Sequence, residues 1–147
     1  MAQTTEIYKP VDIDEKRPEG LQRLPSLPAE AASPAWPAEH SVEGPLDLHR
    51  LAVPNPALTY FLRASGSAME GAGIYDGDLL VVDCSLEPEH GKVVIAAIYG
   101  ELTVKRLEIR NKQIYLVPAA PGHEETQITG HPGAYIWGVV THNLHKL

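Results

Sequence analysis

The chain has 147 residues, a length that suits one domain with an arm. Hydrophobic residues make up 44% of it, enough for a packed core, and it has no run of about 18 apolar residues that would indicate a transmembrane helix. A net charge of −7 argues against non-specific binding to the DNA backbone. Any role in nucleic-acid metabolism is therefore expected to run through a protein partner.

The N-terminus and the cysteine content indicate the compartment. The first 18 residues are polar and charged and do not resemble a signal peptide. Cys84 is the only cysteine, so an internal disulfide is impossible. We expect a cytoplasmic protein with no membrane association.

The N-terminal third differs from the rest of the chain. Nine of the 13 prolines lie within the first 56 residues, and proline at this density prevents long helices and favours extended chain. The composition predicts an extended N-terminal arm over residues 1–45, followed by a folded domain over 46–147. A helix-turn-helix module needs three helices, which this arm has no room to form.

One short helix is predicted at residues 47–53. Asp47 is suited to cap its N-terminus, and Leu48 and Leu51 are expected to face inward.

From residue 58 onward, β-branched and aromatic residues alternate with turn residues, a pattern typical of strands. The predicted strands are 59–64, 78–83, 93–99, 101–109, 113–118 and 135–143. Residues 99–101, Tyr-Gly-Glu, fit a tight hairpin bend. The predicted fold class is mainly β, a compact antiparallel domain with little helix.

The first candidate site is the glycine-rich stretch over residues 60–83, which reads as strand, tight turn, one helical turn, bend and strand. The glycines at its bends are Gly66, Gly71, Gly73 and Gly77. A small residue just after a glycine turn is where a nucleophile would be exposed, with backbone N–H groups nearby to hold an oxyanion.

The second candidate site is the predicted strand that carries Lys105. Side chains alternate along a strand, so Thr103, Lys105 and Leu107 share one face. A lysine among apolar neighbours has a lowered pKa, and its neutral amine can take a proton from a serine hydroxyl. The alternative interpretation is an exposed lysine in a hairpin.

These two sites together resemble the LexA/UmuD family of self-cleaving serine peptidases. The residues Ser-Gly-Ser-Ala-Met at 65–69 are similar to the family motif Ser-Gly-x-Ser-Met, in which the second serine is the nucleophile. The resemblance implies that Ala68 stands at the nucleophile position and that Lys105, 37 residues later, is the general base. It places the backbone N–H of Met69 at the oxyanion.

Alanine at position 68 is the one departure from the motif, because its methyl group is neither a nucleophile nor a proton donor. Ser67 is adjacent, but a one-residue shift on a tight turn is expected to point its hydroxyl elsewhere. Ser65 lies before Gly66 and is expected to belong to the strand. Two accounts remain open. Ala68 is either an engineered replacement of serine that keeps the chain uncut, or the mark of a natural inactive relative.

The resemblance covers nearly the whole chain and is strongest to the UmuD branch. The similar segments are residues 7–12, 56–61, 76–83, 90–97 and 137–140. It implies a homodimer that cleaves its own arm when RecA forms filaments on single-stranded DNA. The cut protein then joins a UmuC-type error-prone polymerase in the SOS response. No metal or organic cofactor is implied.

The family cuts an Ala-Gly or Cys-Gly bond upstream of the nucleophile, and counting back leads to residues 31–34, Ala-Ala-Ser-Pro. The predicted scissile bond is Ala32–Ser33, with Ala31–Ala32 as the fallback. By composition alone, these residues would also suit an alanine-rich linker. The alternative function for the whole chain is a regulatory binding dimer, a natural pseudo-peptidase that is never processed.

Other polar residues receive structural interpretations. The histidines show no metal-like clustering apart from His142 and His145, which are expected to lie in an exposed tail. Asp76, Asp78 and Asp83 are expected to stabilise turns.

Overall fold

Eight antiparallel strands form one sheet in the computed structural model, which describes residues 3–9 and 46–147. The strands are β1 (Gln3–Tyr8), β2 (Thr59–Ser65), β3 (Leu79–Asp83), β4 (Val93–Ile98), β5 (Glu101–Arg110), β6 (Gln113–Val117), β7 (Thr126–Gln127) and β8 (Ala134–Leu144). Their order in the sheet is β1–β2–β3–β8–β4–β5–β6–β7. The predicted fold class, mainly β and antiparallel, is confirmed.

All six predicted strands are present within one or two residues of their predicted ends. The predicted hairpin between β4 and β5 is also present. Tyr99 and Gly100 adopt φ angles of 49° and 80° there, as a tight hairpin turn with two left-handed residues requires. The sequence did not predict β1 or the two-residue β7.

Helix α1 (Leu48–Ala52) is short and lies on the surface. Its predicted cap is confirmed, since Asp47 accepts hydrogen bonds from the N–H groups of His49 and Arg50. The predicted inward orientation is wrong, because the side chains of Leu48 and Leu51 are 68% and 56% exposed. With only five residues, the helix buries none of its own side chains; Val53, which follows it, makes the contact with the interior.

The sheet closes on itself through β1. This strand pairs along its length with β2, and Gln3 also pairs with Thr103 of β5. The strands β1, β2, β3, β8, β4 and β5 therefore form a ring, and the β6–β7 pair extends from it. Residues 10–45 lie outside the described residues, so the boundary of the arm at residue 45 stays a prediction.

The core divides into two clusters on opposite faces of β5. Val104 belongs to the first cluster, together with Ala68 and Met69. Leu107 belongs to the second cluster, with Leu116. The predicted alternation along this strand is thereby confirmed, and the strand that carries Lys105 is held from both sides.

Candidate active site

The turn after β2 is built by glycine and by one carboxylate. Gly66 has a left-handed φ of 87°, and its N–H donates to the Asp76 Oδ1 atom at 2.8 Å. Met69 is fully buried, and its carbonyl accepts hydrogen bonds from the N–H groups of Ala72 and Ile74. The side chain of Met69 therefore anchors the turn in the core, and the backbone at Ala68 is fixed with it.

The loop after β6 is fastened to this turn by two short backbone hydrogen bonds. The N–H of Ala119 donates to the carbonyl of Ala68 at 2.7 Å, and the N–H of Gly71 donates to the carbonyl of Ala119 at 2.6 Å. A Cβ atom at Gly71 would collide with that Ala119 carbonyl oxygen. Gly71 is not among the residues with positive φ, so its backbone conformation does not require glycine. Glycine is needed at this position because the Ala119 carbonyl approaches too closely for a side chain.

The backbone N–H groups of Ala68 and Met69 belong to two fully buried residues of the turn. Both residues are 0% exposed, yet within the part of the chain that the structure describes these two N–H groups have no hydrogen-bond acceptor. Buried backbone donors are nearly always paired in proteins, so an unpaired adjacent pair calls for an explanation. Two such donors after a tight turn are suited to hold an oxyanion.

Lys105 lies on β5 and is buried, with 7% of its surface exposed. Its Nζ atom donates to the Thr103 Oγ1 atom at 2.8 Å and to the carbonyl of Val104 at 3.2 Å. Burial removes the ammonium from water and lowers the pKa of Lys105. The alternative interpretation as an exposed lysine does not describe this side chain.

A cleft of about 560 Å³ lies beside Lys105. Its lining residues are Ile98, Tyr99, Glu101, Thr103, Lys105, Leu116, Gly122, His123, Glu124 and Thr126. The Nε2 atom of His123 lies 3.3 Å from the Oγ atom of Ser67, the residue before Ala68. The glycine turn therefore contacts His123, which lines the same cleft as Lys105. Sequence reasoning missed His123, since no motif links it to a serine 56 residues away.

A buried carboxylate holds the far end of the glycine-rich stretch. Asp78 is 2% exposed and accepts hydrogen bonds from the Tyr75 N–H and the Asn143 side chain, and it contacts His145. Burial alone raises the pKa of Asp78, but these hydrogen bonds outweigh it and lower the pKa below its usual value. His142 and His145 were expected to lie in an exposed tail. That expectation is incomplete for His145, because its contact with Asp78 joins residue 145 to this turn. The expectation that Asp78 stabilises a turn is confirmed.

The predicted scissile residues, Ala32 and Ser33, lie outside the described residues. Among residues 3–9 and 46–147, no three His, Cys, Asp or Glu side chains are grouped so that they could hold a metal ion. No helix in that part of the chain has the length and apolar character needed to cross a membrane.

A buried amine that lines a cleft on an antiparallel sheet places the chain in the class of β proteins with a lysine suited to general-base chemistry. The chain belongs to the Peptidase S24-like family, which matches residues 27–141. The family-level part of the resemblance is confirmed by this match.

The chain is similar to several curated proteins. It is 42% identical to Protein MucA of Salmonella typhimurium over 147 residues, covering 91% of this chain and 93% of MucA. It is 46% identical to Protein ImpA of Shigella flexneri over 110 residues, covering 75% and 74% of the two chains. It is 40% identical to the LexA repressor of Acidithiobacillus ferrooxidans over 100 residues, which is 67% of this chain and 48% of the repressor.

Proposed function

We propose that this chain is a UmuD-like protein of the SOS response, in the form in which its arm stays uncut. The observation that carries the proposal is the buried Lys105, which lines a cleft together with His123, the residue that contacts Ser67 next to Ala68, in a chain of the S24-like family. The same site with serine at position 68 would contain a nucleophile, a base and two oxyanion donors.

The proposed reaction in the serine form is cleavage of the Ala32–Ser33 bond, with Ala31–Ala32 as the fallback. The arm enters the cleft as an extended strand held by main-chain hydrogen bonds. The neutral amine of Lys105 takes the proton of the serine hydroxyl, and the serine oxygen attacks the carbonyl carbon of Ala32. The N–H groups of residues 68 and 69 hold the tetrahedral oxyanion.

Breakdown of this intermediate requires a proton on the leaving group. The ammonium of Lys105 gives its proton to the amine of Ser33 as the peptide bond breaks, and an acyl-enzyme remains. Water, deprotonated by Lys105, then hydrolyses the ester. In the chain with Ala68 the first attack is impossible, so both segments stay covalently joined.

The partners we propose follow from the UmuD-like resemblance. The protein forms a homodimer in the cytoplasm, RecA filaments on single-stranded DNA stimulate the cut, and the shortened form acts as accessory subunit of a UmuC-type error-prone polymerase. The relatives MucA and ImpA support the placement in this branch. The net charge of −7 supports a role through protein partners rather than direct DNA contact.

A second function is favoured by Ala68 itself. If the native gene encodes alanine at this position, the chain is a regulatory binding dimer that uses the fold without the reaction. Reading the native codon for residue 68 separates the two functions, since a serine codon identifies Ala68 as a replacement.

The experiment is intact-mass analysis of the Ala68→Ser protein at about pH 10, where more of the lysine is neutral. We expect the loss of residues 1–32 from this protein alone. Its matched controls are the unchanged chain and the double variant Ala68→Ser, Lys105→Met, both of which should stay whole. An Ala68→Ser protein that stays whole at high pH and with RecA filaments would refute the proposed peptidase function.

A further inference from the structure

The first strand is bound to the body by a backbone ladder. β1 pairs antiparallel with β2 from Gln3↔Ser65 to Tyr8↔Phe61. Ile7, in the middle of this pairing, is 53% exposed. Ladder hydrogen bonds rather than burial of Ile7 therefore hold this part of the strand, as in complexes where an extended peptide adds to a sheet edge.

Lys9 fixes the end of the strand that leads into the arm. Its Nζ atom donates to the carbonyl of Ala57 at 2.8 Å and lies 3.9 Å from the centre of the Tyr60 ring. That ring is itself supported by Trp137, with 4.9 Å between the ring centres. A cation held by both a carbonyl and an aromatic face makes a defined end point for the strand.

The opposite end of the strand reaches the neighbourhood of Lys105. Gln3 pairs with Thr103, and the Oγ1 atom of Thr103 accepts a hydrogen bond from Lys105. The pairing of Gln3 with Thr103 thus closes the ring of strands next to the cleft. β1 has contacts at both ends and along the middle that are independent of the chain that follows residue 9.

We propose that residues 3–9 are a separable strand that stays bound to the body after the arm is cut. A cut after Ala32 breaks the chain 23 residues beyond Lys9, so none of the contacts of β1 or Lys9 described above is lost. The inference rests on the proposed function only for the position of that cut. Cleavage alone therefore leaves the β2 edge covered, and a partner that adds an extended strand to β2 must first displace residues 3–9.

The test uses a cut that does not depend on the peptidase site. A recognition sequence for a sequence-specific protease is inserted between Ala32 and Ser33 of the full chain, and complete cutting is verified by mass spectrometry in denaturant. The cut protein is then run on a native size-exclusion column at micromolar concentration. We expect the N-terminal fragment to elute together with the body.

Lys9→Ala in the same cut protein measures the contribution of the lysine contact. Loss of the cation–π contact and of the charged hydrogen bond should weaken retention of the fragment about tenfold. Lys146→Ala, which removes an equal charge from an exposed position, should leave retention unchanged. Circular dichroism of each uncut variant confirms that the body is folded.

Separation of the fragment from the otherwise unchanged body immediately after cutting would overturn the proposal. Equal retention in the Lys9→Ala and Lys146→Ala proteins would overturn the part assigned to Lys9, because it would show that the lysine contact does not hold the strand. Because the inserted site needs neither Ala68 nor Lys105, failure here would leave the proposed self-cleavage standing, and failure of self-cleavage would leave this result valid.

Discussion

Gly71→Ala should be among the most destabilising single-methyl additions in the described part of the molecule. The new methyl group would collide with the carbonyl oxygen of Ala119, and it would disturb the 2.6 Å hydrogen bond that this carbonyl accepts from the Gly71 N–H. Backbone strain is not part of the effect, because Gly71 does not have a positive φ. The collision is with backbone, which has little freedom to move aside.

The magnitude follows from these two contributions. Forcing an extra methyl group into a packed site costs about 1–3 kcal/mol, and weakening one hydrogen bond costs about 0.5–1.5 kcal/mol. We therefore expect the free energy of unfolding to fall by about 2–4 kcal/mol. In the Ala68→Ser background the same change should also slow self-cleavage, because the loop carrying Ala119 holds the turn through the Ala68 carbonyl.

Urea denaturation of the unchanged chain and of the Gly71→Ala variant measures the difference in their free energies of unfolding. Gly77→Ala is the matched control, since Gly77 has a φ of 86° and a Cβ added there would have no atom within 4 Å. In the Gly77→Ala control, the free energy of unfolding should fall only by the cost of placing alanine in the left-handed region, about 1–2 kcal/mol. A loss at Gly71 below about 0.5 kcal/mol would refute the argument that this glycine is required by close approach.

Three further predictions concern ionisable groups. Because the folded-state pKa of Lys105 is below its unfolded value of 10.5, the unfolded chain binds more protons between the two values, and stability should rise with pH across that window. Lys105→Met should abolish this rise in urea denaturation at several pH values; an unchanged slope would contradict it. The rate of self-cleavage of the Ala68→Ser protein should also rise with pH through the lowered pKa of Lys105, and a rate by mass spectrometry that is flat from pH 6 to about pH 10 would count against a lysine base. Asp78 has a folded-state pKa below its unfolded value of 3.8. The stability that its carboxylate contributes is therefore fully present above pH 3.8 and is lost as the pH falls through the folded-state pKa. Asp78→Asn should therefore destabilise the protein by about 1–3 kcal/mol at neutral pH, with a smaller effect near pH 3, and a loss that does not depend on pH would refute the charge argument.

The strands of the body were predictable from the sequence because their side chains alternate and their turns carry glycine. The pattern over 93–109 predicted both strands and the hairpin at Tyr99 and Gly100. β1 was not predictable in the same way. Its pairing is with residues more than 50 positions away, and the proline-rich chain that follows it favours the interpretation of the whole segment as an arm.

In the candidate site, too, some features were predictable from local sequence and others depend on distant contacts. Lys105 was predictable from its apolar neighbours on a strand, and its burial bears out that reasoning. The contact between Ser67 and His123, and the hydrogen bonds of Ala119 with the turn, were not predictable, since they depend on where the loop after β6 is placed. Leu48 and Leu51 show the reverse error, because helical spacing indicates an apolar face without indicating that anything covers it.

The position of β8 has a consequence for how the chain folds. This strand is the last in the sequence, yet it lies between β3 and β4, where it pairs with both. Until it is in place, the described strands β1–β3 and β4–β7 have no backbone ladder between them except the Gln3–Thr103 pair. Pairing over such sequence distances is slow because loops must close before contacts form. The sheet therefore cannot be completed until residues 134–144 are free to pair with both β3 and β4.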